Sequence, residues 1–518
     1  MNAQELMAQF AGVQAGGAAQ LGGSVGGALG DMQDLQKALT ASAYQTDVST
    51  LTGGGALGTQ SLDTAMKTVI QEEQHFVLFK KLQSTNATNI VDEYTRQTGV
   101  GGVLGGTTNT QLGTVNASSG TYAREIGLVK FLMTLRQVGY VLNIGKNIAE
   151  PVAVEERNGA LQLMTDAEYL LFHGNAAASP TQFDGVMTQI EANVISGQCN
   201  SNHIVDMAGT ALTTVLPFTE LQSAIQDYGN WGRITETFLP TPVQTDLNMG
   251  LDPAFRWSAQ PTNQLLTVGG HVEGIRLTEG VLKTNIDTFL QHSGMPMAMP
   301  VEVNWPTAVT GTANVAVTPG TPTGVAASNP ASTFTAARAG NYYYGVAGID
   351  PNGNGNSPTV VSAQIAVAAG QSVTLTIPKS AAHQETGYAI YRSRLNGTNA
   401  ISDMRLIRII PIATVNNAYV VTTGSVGTGT ATTFVDSNLD IPGTVSIPCL
   451  NMAPAADAIG WRQFQPMTKI PLPFGVGGVP VISWFQFLFG YLRVTKPKHH
   501  GFIKNILPNS SVWRPFNV

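Results

Sequence analysis

Two short patterns in the sequence come close to catalytic motifs. Gly145-Lys146 has the glycine–lysine pair of a phosphate-binding loop, but Asn147 follows where Ser or Thr belongs, and Tyr140 replaces the first glycine. The run 22–26 (GGSVG) has the letters of a nucleophile elbow, yet it lies in a glycine-rich stretch with no strand before it. The glycines at 99–106 do not open a helix, as a dinucleotide-binding loop requires. Folding could still assemble a dispersed site, but the sequence predicts no catalytic residues and a protein that is not an enzyme.

Metal and acid–base sites have equally weak support. His499-His500 has no Cys or carboxylate close by in sequence, so we expect two solvated histidines and no metal site. Glu72-Glu73 and Glu155-Glu156 fit helix-surface carboxylates better than a general acid–base pair. Cys199 and Cys449 have no metal-ligand spacing and form no disulfide framework, which favours a reducing compartment. We therefore predict no metal and no cofactor.

The composition favours a chain that is covered by other chains. Only 12 % of its 518 residues are charged, and 56 are glycine. Since solubility usually depends on mixed surface charge, this predicts an obligate assembly of two- or three-domain subunits, although a secreted β protein has a similar composition. The net charge of −6 does not indicate nucleic-acid binding. The first 36 residues lack the Lys or Arg that begins a secretion signal. The apolar run 474–492 contains Pro480 and several glycines, so it predicts two buried strands joined by a turn and not a membrane span.

An uncharged block marks the most distinctive element of the N-terminal part. Residues 1–58 are rich in Gly, Ala and Ser and predict a flexible arm, and 61–82 has helical spacing. The block 97–123 has no charged residue and lies between strand-like runs at 90–95 and 126–140. This pattern predicts a long two-stranded excursion, or alternatively a disordered surface loop. An isolated hairpin is marginal in water, so we expect it to lie on a neighbouring subunit. The predicted inter-subunit contacts are Gly101, Leu104, Thr107, Leu112 and Val115.

The rest of the chain alternates between helical and β patterns. Residues 147–173 predict the longest helix, with Pro151 in its first turn and Gly174 ending it. Residues 217–300 mix a helix at 219–228 with short strands. From 308 to 444 helical periods disappear, and turn signals separate strand-like segments, which predicts an immunoglobulin- or fibronectin-like sandwich. Those strands are expected at 342–349, 373–377, 388–392, 406–410 and 419–422.

The order of these segments resembles the major capsid proteins of tailed double-stranded-DNA bacteriophages, the Hong-Kong-97-like fold. The resemblance is carried by short motifs in a fixed order: 61–67 (SLDTAMK), 91–94 (VDEY), 134–138 (TLRQV), 158–174 (NGALQLMTDAEYLLFHG), 183–186 (FDGV) and 491–505 (YLRVTKPKHHGFIKN). Two further motifs, 388–393 (YAIYRS) and 434–444 (FVDSNLDIPGT), resemble fibronectin-like domains inserted in some of these proteins.

The resemblance implies an α+β capsid fold with an inserted all-β sandwich. The implied segments are an N-terminal arm (1–60), the arm helix and start of the peripheral domain (61–96), the extended loop (97–125), the peripheral domain with its spine helix (126–215), the axial domain (216–307), the inserted immunoglobulin/fibronectin-like domain (308–444), and the return to the axial and peripheral domains (445–518). The insert is expected to project from the outer face of a shell.

The resemblance also implies a function. Such chains self-assemble into hexamers and pentamers that form an icosahedral head around phage DNA, without sequence-specific DNA binding and without a membrane. The implied partners are portal, scaffold or decoration proteins. Assembly is expected in the host cytoplasm, and the virion is the expected final location. Some family members cross-link the loop through a lysine, but no Lys occurs between Arg96 and Lys130, so a non-covalent shell is expected. The competing interpretations are an adhesin with a β-sandwich module, which would be small, and an enzyme with an accessory β domain.

Overall fold

The computed structural model describes residues 76–115, 117–145, 150–250, 272–290, 315–350, 357–382, 384–412, 420–423, 431–475 and 478–516. All of them belong to one compact unit, Ile70–Val518. The predicted arm, the GGSVG run, Glu72-Glu73 and most of the predicted helix 61–82 lie outside the described residues. Within 76–82 the helix is one turn, α1 (Leu78–Lys81), and it ends because Leu82 leaves the helical region with ψ of 134°.

A long helix packed on a four-stranded sheet forms one part of the body. After the short helix α2 (Tyr140–Ile144), the long helix is α3 (Pro151–His173), with Pro151 in its first turn and Gly174 as its C-cap. Leu163, Ala167 and Leu171 recur every fourth residue and are buried. The sheet, called the long-strand sheet below, contains in spatial order β1 (Gln83–Asn86), β20 (Ile459–Pro471), β21 (Val481–Val494) and β4 (Lys130–Gly139).

Side-chain hydrogen bonds fix helix α3 to the long-strand sheet. Arg136 Nη2 donates to Gln162 Oε1 at 2.6 Å, and Gln486 Nε2 donates to the carbonyl of Glu156 at 2.9 Å. A Cβ on Gly159 would lie 1.8 Å from Gln486 Oε1, so a side chain at this position would have to displace the amide of Gln486. Glu155 and Glu156 are surface carboxylates of the helix, as predicted; the latter pairs with Lys469 at 2.5 Å.

Strand β21 corrects the prediction for residues 474–492. Two buried strands were expected there, but the structure has one strand that begins only at Val481. Pro480 cannot donate a backbone hydrogen bond, and Gly475 and Gly478 both have φ of 77°, so the chain turns before it. Phe474 is 61 % exposed. None of the helices in the described ranges is long and apolar enough to cross a bilayer.

A six-stranded mixed sheet forms the other part of the body. Its order is β5 (Ile204–Asp206), β22 (Gly501–Ile506), β19 (Val445–Leu450), β6 (Glu236–Leu239), β8 (Gly280–Ile286) and β7 (Gly274–Leu277). The neighbouring helices are α4 (Val186–Ile195), α5 (Leu216–Gln226) and α6 (Thr241–Gly250). Distant segments of the chain therefore meet in one sheet and share one apolar core with α3 and the long-strand sheet.

Residues 315–441, called the insert below because they lie in the chain between β8 and β19 of the six-stranded sheet, contain two further antiparallel sheets with a core of their own. One sheet has the order β12 (Val360–Val361), β11 (Tyr344–Ile349), β15 (Gly387–Ser393), β16 (Met404–Pro411), and the other β17 (Val420–Thr423), β18 (Ala431–Asp436), β14 (Gln371–Pro378), β9 (Thr323–Ser328). A two-stranded pair, β10 (Gly340–Tyr342) with β13 (Ile365–Val367), joins them. Each predicted strand in this region overlaps an observed one.

Strands β11 and β15 are buried on both faces. Tyr344, Val346 and Ile390 point into the core of the insert, while Ala347 and Tyr391 belong to the core of the body. This alternation is the period of a strand. The insert is therefore not an appendage that could be removed without consequence, because one of its sheets covers part of the body.

Arg408 links the insert to the body. Its guanidinium pairs with Glu191 on α4 and with Asp440 Oδ2, the latter at 2.6 Å, and Lys504 Nζ lies 3.4 Å from Asp440 Oδ1. Burial acts to raise the pKa of Asp440, but Arg408 and Lys504 together hold that pKa below its ordinary value. These half-buried groups line a cavity of about 250 Å³ between the insert and the body.

We expect Arg408→Ala to loosen the insert. The substitution leaves Glu191 and Asp440 without their shared cation, which costs about 1–3 kcal/mol for half-buried pairs. Calorimetry should show a less stable chain, and limited proteolysis should show faster cleavage within residues 315–441. Arg394→Ala is the matched control, because Arg394 is half-exposed and pairs with Asp403 inside the insert. Equal losses in the two variants would contradict the role of Arg408 as a link.

Candidate functional site: a projecting apolar ribbon

Strands β2 (Val91–Gly99) and β3 (Thr121–Leu128) form a two-stranded ribbon that pairs with no third strand in the described part of the chain. Their register runs from Val91 opposite Leu128 to Gly99 opposite Thr121. Two cross-strand ion pairs stiffen the base: Arg96 with Glu125 at 2.5 Å and Arg124 with Glu93 at 3.3 Å. The predicted two-stranded excursion is present, but the strand-like run expected at 126–140 is divided at Val129 between β3 and β4, which belong to different sheets.

The tip of the ribbon, residues 100–120, contains the predicted contact residues. Gly101, Leu104, Thr107, Leu112 and Val115 are all exposed. Leu104 is 80 %, Leu112 98 % and Val115 86 % exposed, and the described tip residues form neither helix nor strand. Each such side chain gains about 1.5–3 kcal/mol when it is fully buried. The structure places the predicted residues together on one projection.

A buried carboxylate holds the base of the ribbon to the body. Asp92 accepts hydrogen bonds from Arg462 Nε at 2.8 Å, Arg462 Nη2 at 2.9 Å and the Tyr491 hydroxyl at 2.6 Å. Hydrogen bonding from Arg462 is the main reason that the pKa of Asp92 lies below its ordinary value. Sequence reasoning missed this group; the alternation Asp92-x-Tyr94-x-Arg96 is a signal for three side chains on one face of a strand.

The long-strand sheet exposes an apolar face opposite helix α3. Phe131, Met133 and Leu135 on β4 are each about half exposed, and their register partners on β21 are Phe489, Phe487 and Phe485. The Phe131 and Phe489 rings meet edge to face at 4.9 Å between centroids. Sequence reasoning also missed this face, although the alternation at 131, 133 and 135 indicates it. A contiguous apolar patch of this kind is typical of a surface that another protein covers.

Two buried carboxyl groups form a second polar cluster. Glu168 on α3 accepts backbone hydrogen bonds from Val77 at 3.1 Å, Leu78 at 2.6 Å and Phe79 at 2.9 Å. Asp287 is hydrogen-bonded to Glu168, and its Oδ1 accepts from the backbone of Phe289 at 2.9 Å. Burial, with the charge of Glu168 second, raises the pKa of Asp287 to about 9. The pair therefore shares one proton at neutral pH and ties the chain at 77–79 to helix α3.

His500 corrects the prediction of two solvated histidines. His499 is only partly exposed, and the ring of His500 is fully buried, with Nδ1 accepting from the backbone of Asn451 at 3.1 Å and Nε2 near the carbonyl of Ala458 at 3.3 Å. Burial lowers the pKa of His500 to about 3, so the ring is neutral. In the described ranges no three His, Cys, Asp or Glu side chains converge as metal ligands.

Both cysteines are buried free thiols. Burial raises the pKa of Cys199 to about 11 and that of Cys449 to about 12, so both are protonated near neutral pH. Neither has the depressed pKa of a nucleophile.

Comparisons with known proteins give matches to solved structures only. No family model matches the sequence, and no curated protein does. The chain is similar to the capsid of a native GTA particle, with a TM-score of 0.43 and 8 % identity over 89 % of this chain and 100 % of that one. It is also similar to a chain of Mycobacterium phage Bobi (TM-score 0.38, 9 % identity, 88 % and 98 % covered). A third is the SrpI encapsulin complex of Synechococcus elongatus PCC 7942 (TM-score 0.33, 9 % identity, 92 % and 99 % covered).

Proposed function

We propose that this chain is a shell subunit, the major capsid protein of a tailed double-stranded-DNA bacteriophage, and that the ribbon is its principal contact with other copies. One observation carries the proposal: the ribbon projects an uncharged, apolar tip that has no support from its own body in the described residues. A free two-stranded ribbon is marginally stable in water, and its exposed Leu and Val side chains favour association.

The surface chemistry supports an assembly built from copies of the same chain. Charged residues are scarce, at 12 % of the sequence, and the aromatic face of the long-strand sheet offers a second apolar surface. Many modest contacts per subunit add up in a closed shell because each contact raises the effective concentration for the next. Assembly therefore does not require any single interface to be strong.

The finer features of the proposal come from the sequence resemblance. Copies would form hexamers and pentamers of an icosahedral head that encloses DNA without reading its sequence. Portal, scaffold or decoration proteins would be the partners, and the virion the location. The two-sheet insert would be the immunoglobulin- or fibronectin-like domain, and its packing against the body favours a structural role over a loosely tethered one.

Particle size tests the proposal directly. Purified full-length chain should sediment as capsomers or as very large particles, and negative-stain micrographs should show closed shells. The size should fall when the protein is diluted, as expected for mass action. A compact single molecule at high concentration, with the ribbon folded on its own body, would contradict the proposal.

The shell should be held together without covalent links. The ribbon and its tip contain no lysine, so the loop cannot supply an amine for an isopeptide bond. Purified particles boiled in detergent and run on a denaturing gel should give one band at the size of a single chain. A ladder of linked subunits would contradict this expectation and would leave the assembly itself intact.

A further inference from the structure

Three side chains on one face of β2 form hydrogen bonds between the ribbon and the body. Asp92, Tyr94 and Arg96 alternate along the strand and point to the body, whereas Glu93 pairs with Arg124 within the ribbon. Tyr94 OH donates to the carbonyl of Val494 at 3.4 Å, and Arg96 Nη1 donates to Asn193 Oδ1 on α4 at 3.3 Å. Beyond Arg96, the side chains of Gln97 and Thr98 donate within the ribbon, to Gly99 and Thr121.

Asp92 is the most constrained of these contacts. Its two oxygens receive a bidentate pair from Arg462, and Oδ2 receives the Tyr491 hydroxyl as well. The guanidinium of Arg462 is itself braced by Thr85 on β1 at 3.0 Å. Bidentate arginine–carboxylate pairs fix orientation as well as distance. The group therefore restrains the angle at which β2 leaves the body.

Gly127 makes room for this arrangement. It lies opposite Asp92 in the ribbon, and a Cβ there would sit 2.2 Å from the Tyr491 ring. Any side chain at position 127 would push Tyr491 away from Asp92. The close approach of β2 and β3 to Tyr491 therefore depends on the absence of a side chain at Gly127.

We propose that Asp92, Arg462 and Tyr491 form a clamp that fixes the direction in which the ribbon leaves the body, so that the tip of the ribbon reaches a second copy. This inference rests on the proposed function. A strand advances about 3.4 Å per residue, so Gly99 lies about 24 Å from Asp92, and a tilt of about 10° at the base moves it by about 4 Å. A displacement of that size at the tip is enough to misplace side chains that must enter a neighbour's surface. The three residues are positioning groups and do not themselves form the contact.

Two variants perturb the clamp by different means. Asp92→Asn removes the charge that Arg462 holds, and Gly127→Ala displaces Tyr491 without any change of charge. Glu93→Gln is the matched control, because Glu93 is an exposed acid on the opposite face of the same strand. A spin-label pair at Gln111→Cys on the tip and Ala455→Cys on the body reports the direction of the ribbon. Both sites are exposed, while the native cysteines are buried.

The doubly labelled chain is measured when diluted into unlabelled chain of the same variant. We expect a narrow distance distribution for the parent and for Glu93→Gln. In Asp92→Asn and Gly127→Ala the distribution should broaden and the particle fraction should fall at least tenfold, with a folded subunit by thermal melting. Distances that stay narrow in both clamp variants, or that broaden while assembly is unchanged, would overturn the clamp. A parent chain that sediments as single copies would instead overturn the proposed function, and that result requires no variant.

Discussion

Replacing the apolar tip of the ribbon should abolish particle formation and leave the subunit folded. The variant is Leu104→Ser, Leu112→Ser and Val115→Ser together, at positions that are between 80 % and 98 % exposed in the isolated chain. If each side chain is buried against a neighbour, the three changes remove about 5–9 kcal/mol from that contact. The association constant for one contact then falls by about a thousandfold or more. Sedimentation velocity at the concentration where the parent forms shells measures this loss.

The subunit itself should be unaffected, because these side chains make no apolar contact that a folded monomer needs. The melting temperature of the triple variant should therefore match that of the unassembled parent. Val512→Ser is the matched control: Val512 is 99 % exposed and lies near the C-terminal end of the chain, outside the ribbon. That change has the same chemistry at an equally exposed site and should leave the particle fraction unchanged.

Two outcomes separate the contact hypothesis from its alternatives. Normal shells from the triple variant would mean that the tip is not the contact between subunits. That result would favour the aromatic face at Phe131 and Phe485 as the contact instead. A large drop in the melting temperature of the isolated subunit would mean that the tip supports its own fold. Either result contradicts the assignment of Leu104, Leu112 and Val115 as inter-subunit contacts.

The sequence could predict those features whose signals are local. The tip lacks charge over a continuous block, and strand-like runs flank it, so an excursion was predictable. Helix α3 has Pro151 at its start, Gly174 at its end and buried residues every fourth position, so its bounds were predictable to within a few residues. The strands of the insert follow turn signals in the same way.

Features that depend on distant parts of the chain were not predictable. Asp92 and Arg462 are 370 positions apart, and nothing in either neighbourhood indicates the other. The apolar run that contains β21 hides the fact that Phe485, Phe487 and Phe489 lie on the open face of the sheet, while the residues between them are buried. His500 looked solvated beside His499 and Lys498, but the fold buries it between β19 and the loop before β20. These errors share one cause, since burial is set by tertiary packing and not by neighbouring residues.

The carboxyl pair of Glu168 and Asp287 is another long-range feature, and it makes stability depend on pH. Burial raises the pKa of Glu168, while the three backbone N–H groups that it receives favour its charged form. Asp287 has one backbone donor at Oδ1, and its Oδ2 is buried without a protein donor, as expected for a protonated oxygen that donates to Glu168. A histidine faces the same segment: His173 Nε2 lies 3.2 Å from the carbonyl of Phe289.

The sign follows from the pKa of Asp287, which is raised from 3.8 to about 9 in the folded chain. The folded state holds a proton that the unfolded chain has released, so the contribution of this pair to the free energy of unfolding is greatest below pH 4. That contribution should fall as the pH rises from about 4 toward 9, and stay level above it. Asp287→Asn keeps the acceptor for Phe289 and supplies a permanent donor to Glu168. We expect this variant to be more stable than the parent at pH 8 and to lose most of the slope.

Glu168→Gln should destabilise the subunit. The NH2 of the new side chain would face at least one backbone N–H of residues 77–79, so two donors would meet without an acceptor. A buried donor left without an acceptor costs about 1–3 kcal/mol. Urea unfolding of unassembled subunits between pH 4 and pH 9 compares the parent with the two variants, and Asp457→Asn, at an exposed site, is the control. A parent whose stability does not decline over this range, or an Asp287→Asn variant that is weaker than the parent at pH 8, would mean that the two carboxyls do not share a proton. The chain at 77–79 would then be held by a fully charged Glu168, and the position of α1 would not respond to pH.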